Sequence, residues 1–245
     1  MRLLFCLGLL AVLATPAFAG KANLNPEWGT APYQAPSFFI PDEIEGKPIK
    51  DRVVVVFHGF KSAVPNGTFK RIYKLLRDTH TVIGVNYTYF DIEGTMQHLD
   101  ALAKDYLAGR EVVVLGTSLG GFWADWFGNR IAAKKIVLLN PVIEPKQILS
   151  KYDGKTVESE RRAVTFTVTA DDIAKYDGMA VEVSKEPAIL LILTADDDRQ
   201  VMTNTIPSFV DRGRLTLEIF PEGGHTINLK KHPARQVIRD YVLTE

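Results

Sequence analysis

This chain of 245 residues has one cysteine, Cys6, and no excess of either charge. Cys6 lies in an N-terminal apolar run, so no disulfide framework is available. If that run is removed, thiol catalysis and Cys-ligated metal go with it. Basic and acidic residues number 29 each, with no basic block or stripe. That makes nucleic acids and acidic polymers poor partners. Internal repeats and low-complexity tracts are missing too, which argues against solenoids and repeat arrays. Beyond the N-terminal run, no apolar stretch approaches the roughly 20 residues of a membrane span.

The first residues read MRLLFCLGLLAVLATPAFAG. Arg2 gives a positive start, Leu3 to Leu13 an apolar core, and Ala17-Phe18-Ala19 a small-x-small cleavage site, the pattern of a secretory signal. Pro16 interrupts the run before it could span a bilayer, and Cys6 precedes most of the apolar core rather than following it as a lipoprotein cysteine would. The expectation is a signal peptide over 1–19, cleavage before Gly20, and a periplasmic or secreted mature chain without a stable membrane anchor.

Residues 20–50 carry Pro26, Pro32, Pro36, Pro41 and Pro48 with Trp28, Tyr33, Phe38 and Phe39 between them. Proline at this density opposes regular helix, so an extended arm packed on the surface is expected. A β/α rhythm then begins. VVVVF (53–57) is a continuous β-branched run of the kind buried on both faces. Strands are expected again at 81–87, 111–115, 135–139, 188–193 and 214–220. Helical stripes fall between them, one with Phe69, Ile72, Tyr73 and Leu76. Phe122, Trp123, Trp126 and Phe127, on the helix after the third strand run, are expected to pack in the core. Residues 141–187 break the rhythm with VTFTV (164–168) and a capping-box-like Thr169-Ala-Asp-Asp172, and read as a cap inserted over one end of the sheet. The expected class is α/β, a mostly parallel central sheet flanked by helices, over 51–245.

The strand EVVVL (111–115) runs into GTSLGG. Ser118 therefore stands between a strand's carboxyl end, where open parallel sheets bind ligands, and the start of a helix. Gly116-x-Ser118-x-Gly120 in that context is the pattern of a nucleophile elbow. A serine hydroxyl needs a base, and the base an orienting acid, in the chain order Ser, Asp or Glu, His. Of five histidines, His225 in EGGHTI lies where the base belongs. His232, beside Pro233, reads as a first-turn residue of the last helix. His80 and His98 read as surface residues, and His58 in HGF as a structural brace of its loop. The acid falls among Asp196, Asp197 and Asp198 at the end of AILLIL (188–193). Ala195-x-x-Asp198-x-x-Val201 matches the acid loop of similar hydrolases with Ala for Gly, favouring Asp198 with Asp196 its main competitor. The backbone N–H groups of Phe60 and Leu119 are the expected oxyanion donors.

With these residues assembled, the chain resembles the α/β-hydrolase superfamily from about residue 50 onward. Within it, the chain is similar to the small YqiA/YcfP-like esterases. HGF (58–60), GTSLGGFWA around Ser118, LNPVIEP (139–145) and EGGH (222–225) carry that narrower resemblance. It implies an esterase or thioesterase acting on small acyl substrates without a cofactor or metal. Ala195 departs from the family's glycine, and the export signal departs from its usual cytoplasmic location. Peptidase, carbon–carbon hydrolase and peroxidase chemistry use the same residues on this fold, and a non-catalytic binding protein could keep its shape.

Overall fold

The computed structural model describes residues 36–244 except 160–161, 163, 180, 182–186, 198–200 and 213, and the backbone alone of 201–204. The expected signal segment, its cleavage site, the arm up to residue 35 and Asp198 lie outside the described residues. In chain order the elements are β1 (Ser37–Phe39), α1 (Pro41–Ile44), β2 (Arg52–Phe57), α2 (Gly67–Leu76), β3 (Thr81–Asn86) and α3 (Ile92–Leu102). They continue with β4 (Glu111–Thr117), α4 (Leu119–Arg130), β5 (Lys135–Leu139) and α5 (Pro145–Leu149). β6 (Thr156–Ser159), β7 (Val164–Thr167) and α6 (Ala170–Ala174) follow. The last four are β8 (Ala188–Thr194), α7 (Val201–Phe209), β9 (Leu215–Phe220) and α8 (Ala234–Leu243).

Among the described residues seven strands form one sheet in the order β1-β3-β2-β4-β5-β8-β9, parallel except for β1, which pairs antiparallel with β3. Alternation along each strand divides the core between two faces. Val53, Val55 and Phe57 join Val114, Leu191 and the fully buried Trp123 on one face. Val54 and Val56 meet Phe69, Leu115, Val137 and Ile238 on the other. Each buried Val or Leu side chain contributes roughly 1.5–3 kcal/mol, so the β-branched runs dominate the stability of the sheet. Phe122, Trp123 and Phe127 of α4 are buried, as core packing requires.

The arm is more regular than its prolines suggest. Residues 37–39 add an edge strand to the sheet, and Pro41 starts the single turn α1, a position where its missing N–H has no helical partner to lose. His98 is consequently half-buried, stacked on Phe38 of β1 at a ring distance of 3.8 Å. His80 is buried as well, where desolvation lowers its pKa to about 4. Neither is the surface residue its amphipathic surroundings indicate. Within 141–187, β6 and β7 form a separate antiparallel hairpin, and Thr169 and Asp172 close a capping box on α6.

Candidate active site

The site lies where the parallel strands end. β4 stops at Thr117 and α4 begins at Leu119, leaving Ser118 alone between them at φ 54° and ψ −125°. Such a backbone is costly for any residue with a β-carbon. It is held because Ser118 N–H donates to Leu139 O at 3.1 Å, while Ser118 O accepts from Gly121 N–H at 2.8 Å and Val142 N–H at 2.9 Å. The turn closes only with glycine on either side. A β-carbon on Gly116 would overlap the Gly120 carbonyl, and one on Gly120 the carbonyls of Phe57 and His58.

Ser118 Oγ lies 2.8 Å from His225 Nε2, and His225 Nδ1 lies 2.8 Å from Asp197 Oδ2. Asp197 is 4% and His225 12% exposed at the side chain. The structure thus brings Ser118 and His225 together, but the carboxylate on the histidine belongs to Asp197. Asp198, the residue favoured from sequence, lies outside the described residues. Asp196, its competitor, binds the backbone instead, its carboxylate accepting Gly224 N–H at 2.8 Å and Gly223 N–H at 3.0 Å. Those two bonds hold its pKa below the usual carboxylate range. Adjacent side chains at the end of a strand diverge, so one aspartate meets the imidazole and its neighbour meets the backbone of the loop that carries it.

Asn140, within the LNPVIEP motif, joins these parts. Its Oδ1 accepts Thr194 N–H at 3.0 Å. Its amide is shared among Thr194 Oγ1 at 3.0 Å, Gly224 O at 3.0 Å and His225 O at 3.2 Å. The ends of β5 and β8 and the histidine loop are therefore pinned together at one buried side chain.

Phe60 and Leu119 both present backbone N–H groups that donate to no protein group among the described residues. Leu119 opens α4, so its N–H has no carbonyl within the helix to meet, and the positive end of the helix dipole lies there. Phe60 lines the cleft of about 240 Å³ over Ser118, together with Lys61, Ser62, Thr226 and, from the segment after α5, Tyr152. The Tyr152 and Phe60 rings meet edge to face at 5.2 Å.

The other two histidines have structural partners. His232 Nε2–H donates to Glu222 O at 2.7 Å and its Nδ1 accepts Ala234 N–H at 3.1 Å, so it caps the first turn of α8. His58 is buried, stacked on Tyr87 at 4.6 Å, and its Nδ1 bonds Gly59 O at 2.8 Å. Burial, reinforced by the Arg162 charge, holds its pKa well below the ordinary histidine value, so it braces the loop as a neutral ring. Among the described residues no cluster of His, Cys, Asp or Glu could hold a metal ion.

An elbow serine at the end of the central strand of a mostly parallel sheet, hydrogen-bonded to a histidine after the last strand, matches the α/β-hydrolase fold class. Solved members share the fold. Est1E from Butyrivibrio proteoclasticus superposes with a TM-score of 0.62 at 14% identity, covering 84% of this chain and 89% of its own. Mouse alpha/beta hydrolase domain-containing protein 10 superposes with a TM-score of 0.59 at 12% identity, covering 80% and 89%. Within that class the chain belongs to the family described as Uncharacterised protein family (UPF0227), whose model matches residues 53–211. A UPF0227 protein of Vibrio atlanticus (strain LGP32) is 23% identical over 162 residues, 65% of this chain and 83% of its own. One of Vibrio vulnificus (strain CMCP6) is 24% identical over 149 residues, 60% and 76%.

Proposed function

We propose that the chain is a serine hydrolase that cleaves small carboxylic esters or thioesters through an acyl-enzyme. One observation carries this reading: the unbroken chain of 2.8 Å bonds from Ser118 through His225 to Asp197. Ser118 Oγ attacks the carbonyl carbon while His225 Nε2 takes its proton. Asp197 keeps the remaining proton on Nδ1 and stabilises the imidazolium. The oxygen of the tetrahedral intermediate lies toward the Phe60 and Leu119 N–H groups, where each donor is worth about 10²–10³ in rate. Collapse returns the proton to the departing alcohol or thiol and leaves acyl-Ser118. Water, activated by the same histidine, then releases the acid.

The cleft of about 240 Å³ suits a short acyl group. That Est1E has been solved with ferulic acid bound supports a small carboxylic ester over a polymer. The signal-like pattern of residues 1–19 supports action outside the cytoplasm. Among the described residues no helix is long and apolar enough to cross a membrane.

The test is covalent. A fluorophosphonate probe should label the protein, and Ser118→Ala should abolish labelling; labelling that persists would assign the nucleophile elsewhere. A panel of p-nitrophenyl esters and acyl-CoAs of graded length then reads the acyl preference, with activity expected to fall as the acyl chain lengthens.

A further inference from the structure

The loop after β2 is held from two directions. Within the loop, the Gly59 carbonyl accepts His58 Nδ1–H at 2.8 Å and Ser62 N–H at 3.2 Å. A planar trans peptide points its C=O and N–H in opposite directions. Fixing Gly59 O therefore fixes the direction of Phe60 N–H, the donor assigned to the oxyanion. His58 can give its Nδ1 proton to Gly59 only while Nε2 acts as acceptor.

That acceptor is met by the cap. Arg162, between β6 and β7 and 7% exposed, places Nη2 3.0 Å from His58 Nε2 and 2.9 Å from Tyr87 O. Its Nε donates to Ser62 O at 2.8 Å, and its guanidinium lies 3.8 Å from the centre of the Tyr89 ring. Arginine has no acceptor atom, so its contact with His58 selects the tautomer that carries the proton on Nδ1. One side chain of the inserted cap thus sets the proton position of His58 and grips the far end of the same loop at Ser62.

We propose that Arg162 is a positioning residue for the oxyanion hole: through His58 and Ser62 it fixes the peptide that presents Phe60 N–H to the reacting carbonyl. The cap is then part of the catalytic geometry as well as a wall of the cleft. This inference rests on the hydrolase reading of the same site.

The experiment follows inactivation by a fluorophosphonate, whose phosphoryl oxygen gains negative charge as Ser118 attacks and whose reaction needs no knowledge of the natural substrate. Removing an oxyanion donor costs about 10²–10³, and misdirecting one should cost a smaller share. Arg162→Met should therefore lower kinact about tenfold or more while KI stays within about twofold. Arg162→Lys, which keeps the charge but not the fork, should fall between the two. His58→Phe should lose as much as Arg162→Met, and the double variant no more than either, because both act through one peptide. A wild-type kinact in either folded Arg162 variant, judged by far-UV circular dichroism, or multiplying losses in the double variant, would overturn the proposal. If Arg162→Met does not fold, Arg162→Lys and His58→Phe decide. An unlabelled wild-type protein would overturn the hydrolase reading and this inference together, whereas labelled wild type with unaffected variants overturns the inference alone.

Discussion

Replacing Asp197 with Asn separates this site from the one its sequence suggests. Asp197 Oδ2 lies 2.8 Å from His225 Nδ1, and the carboxylate is 4% exposed. In the proposed reaction Ser118 gives its proton to His225, which then becomes a cation facing that anion. At an effective dielectric constant near 20, opposite charges about 4 Å apart attract by about 4 kcal/mol, and 1.36 kcal/mol is tenfold in rate. Loss of the charge should therefore cost about 10³ in kcat. An asparagine can also turn its amide toward Nδ1, which leaves the ring proton on Nε2 where it cannot accept from Ser118. The corresponding change in a serine protease costs about 10⁴, so 10³–10⁴ is expected here. The assay is p-nitrophenyl acetate hydrolysis by the Asp196→Asn, Asp197→Asn and Asp198→Asn variants. Asp196→Asn keeps an oxygen for one of the two glycine N–H groups and should lose less than about tenfold, with Asp198→Asn milder still. A collapse in Asp198→Asn with Asp197→Asn spared would refute the assignment and restore the residue favoured from sequence.

The remaining expectations follow from burial, sterics and sequence. Gly120→Ala places a β-carbon on the Phe57 and His58 carbonyls; it should cost about 1–3 kcal/mol, read from urea unfolding, and an unchanged midpoint would contradict the elbow geometry. His58 is held neutral by burial, with its folded pKa below 6.5, so the unfolded chain takes up the extra proton first as pH falls. Stability should therefore be lost as pH drops below about 6.5, by at most about 1.4 kcal/mol per pH unit from this group. In His58→Gln the fall between pH 7 and pH 5 should be shallower, and an identical slope would remove His58 from the account. Mass spectrometry of protein from fractionated cells should find Gly20 at the N-terminus of exported chains; intact Met1 on cytoplasmic protein would return the chain to the cytoplasm.

What sequence makes legible follows from how locally each feature is determined. A run such as VVVVF can be satisfied only where both faces of a strand are covered, and β2 is buried on both. Gly116 is imposed from within the elbow, by the Gly120 carbonyl four residues on, and Gly120 by the Phe57 and His58 carbonyls at the neighbouring strand end. Both contacts come with the strand–turn–helix geometry, so the spacing survives translation into sequence. The acid is not legible, because Asp196, Asp197 and Asp198 share composition and position in the sequence, and Asp196 and Asp197 are told apart only by the direction of each side chain after β8. His80 and His98 mislead for a related reason. Each lies in or beside an amphipathic helix, but what covers them comes from strands distant in sequence, including the short β1 that prolines conceal. Arg162 carries no signal, since one of two adjacent arginines in a charged segment resembles any solvated one until the hairpin seats it against the loop.

The strained residues show why the site needs this much bracing. Among the described residues four non-glycines have positive φ: Lys61, Ser118, Ala132 and Asn140. Three of them follow the carboxyl ends of β2, β4 and β5, the neighbouring strands at the centre of the sheet. Such conformations cost of order 1–3 kcal/mol each and persist only where the surroundings over-determine them. At Ser118 three backbone bonds do so, at Asn140 the buried amide network, and at Lys61 the carbonyl accepts Ser159 Oγ–H of the β6–β7 hairpin at 3.0 Å. Ser159 and Arg162 thus seat the hairpin on consecutive carbonyls, Lys61 and Ser62, of the loop that carries Phe60. The insertion is therefore tied to the most strained part of the loop after β2. Shortening the hairpin would disturb the proposed chemistry at Ser118 even if every residue of the serine–histidine–aspartate chain stayed in place.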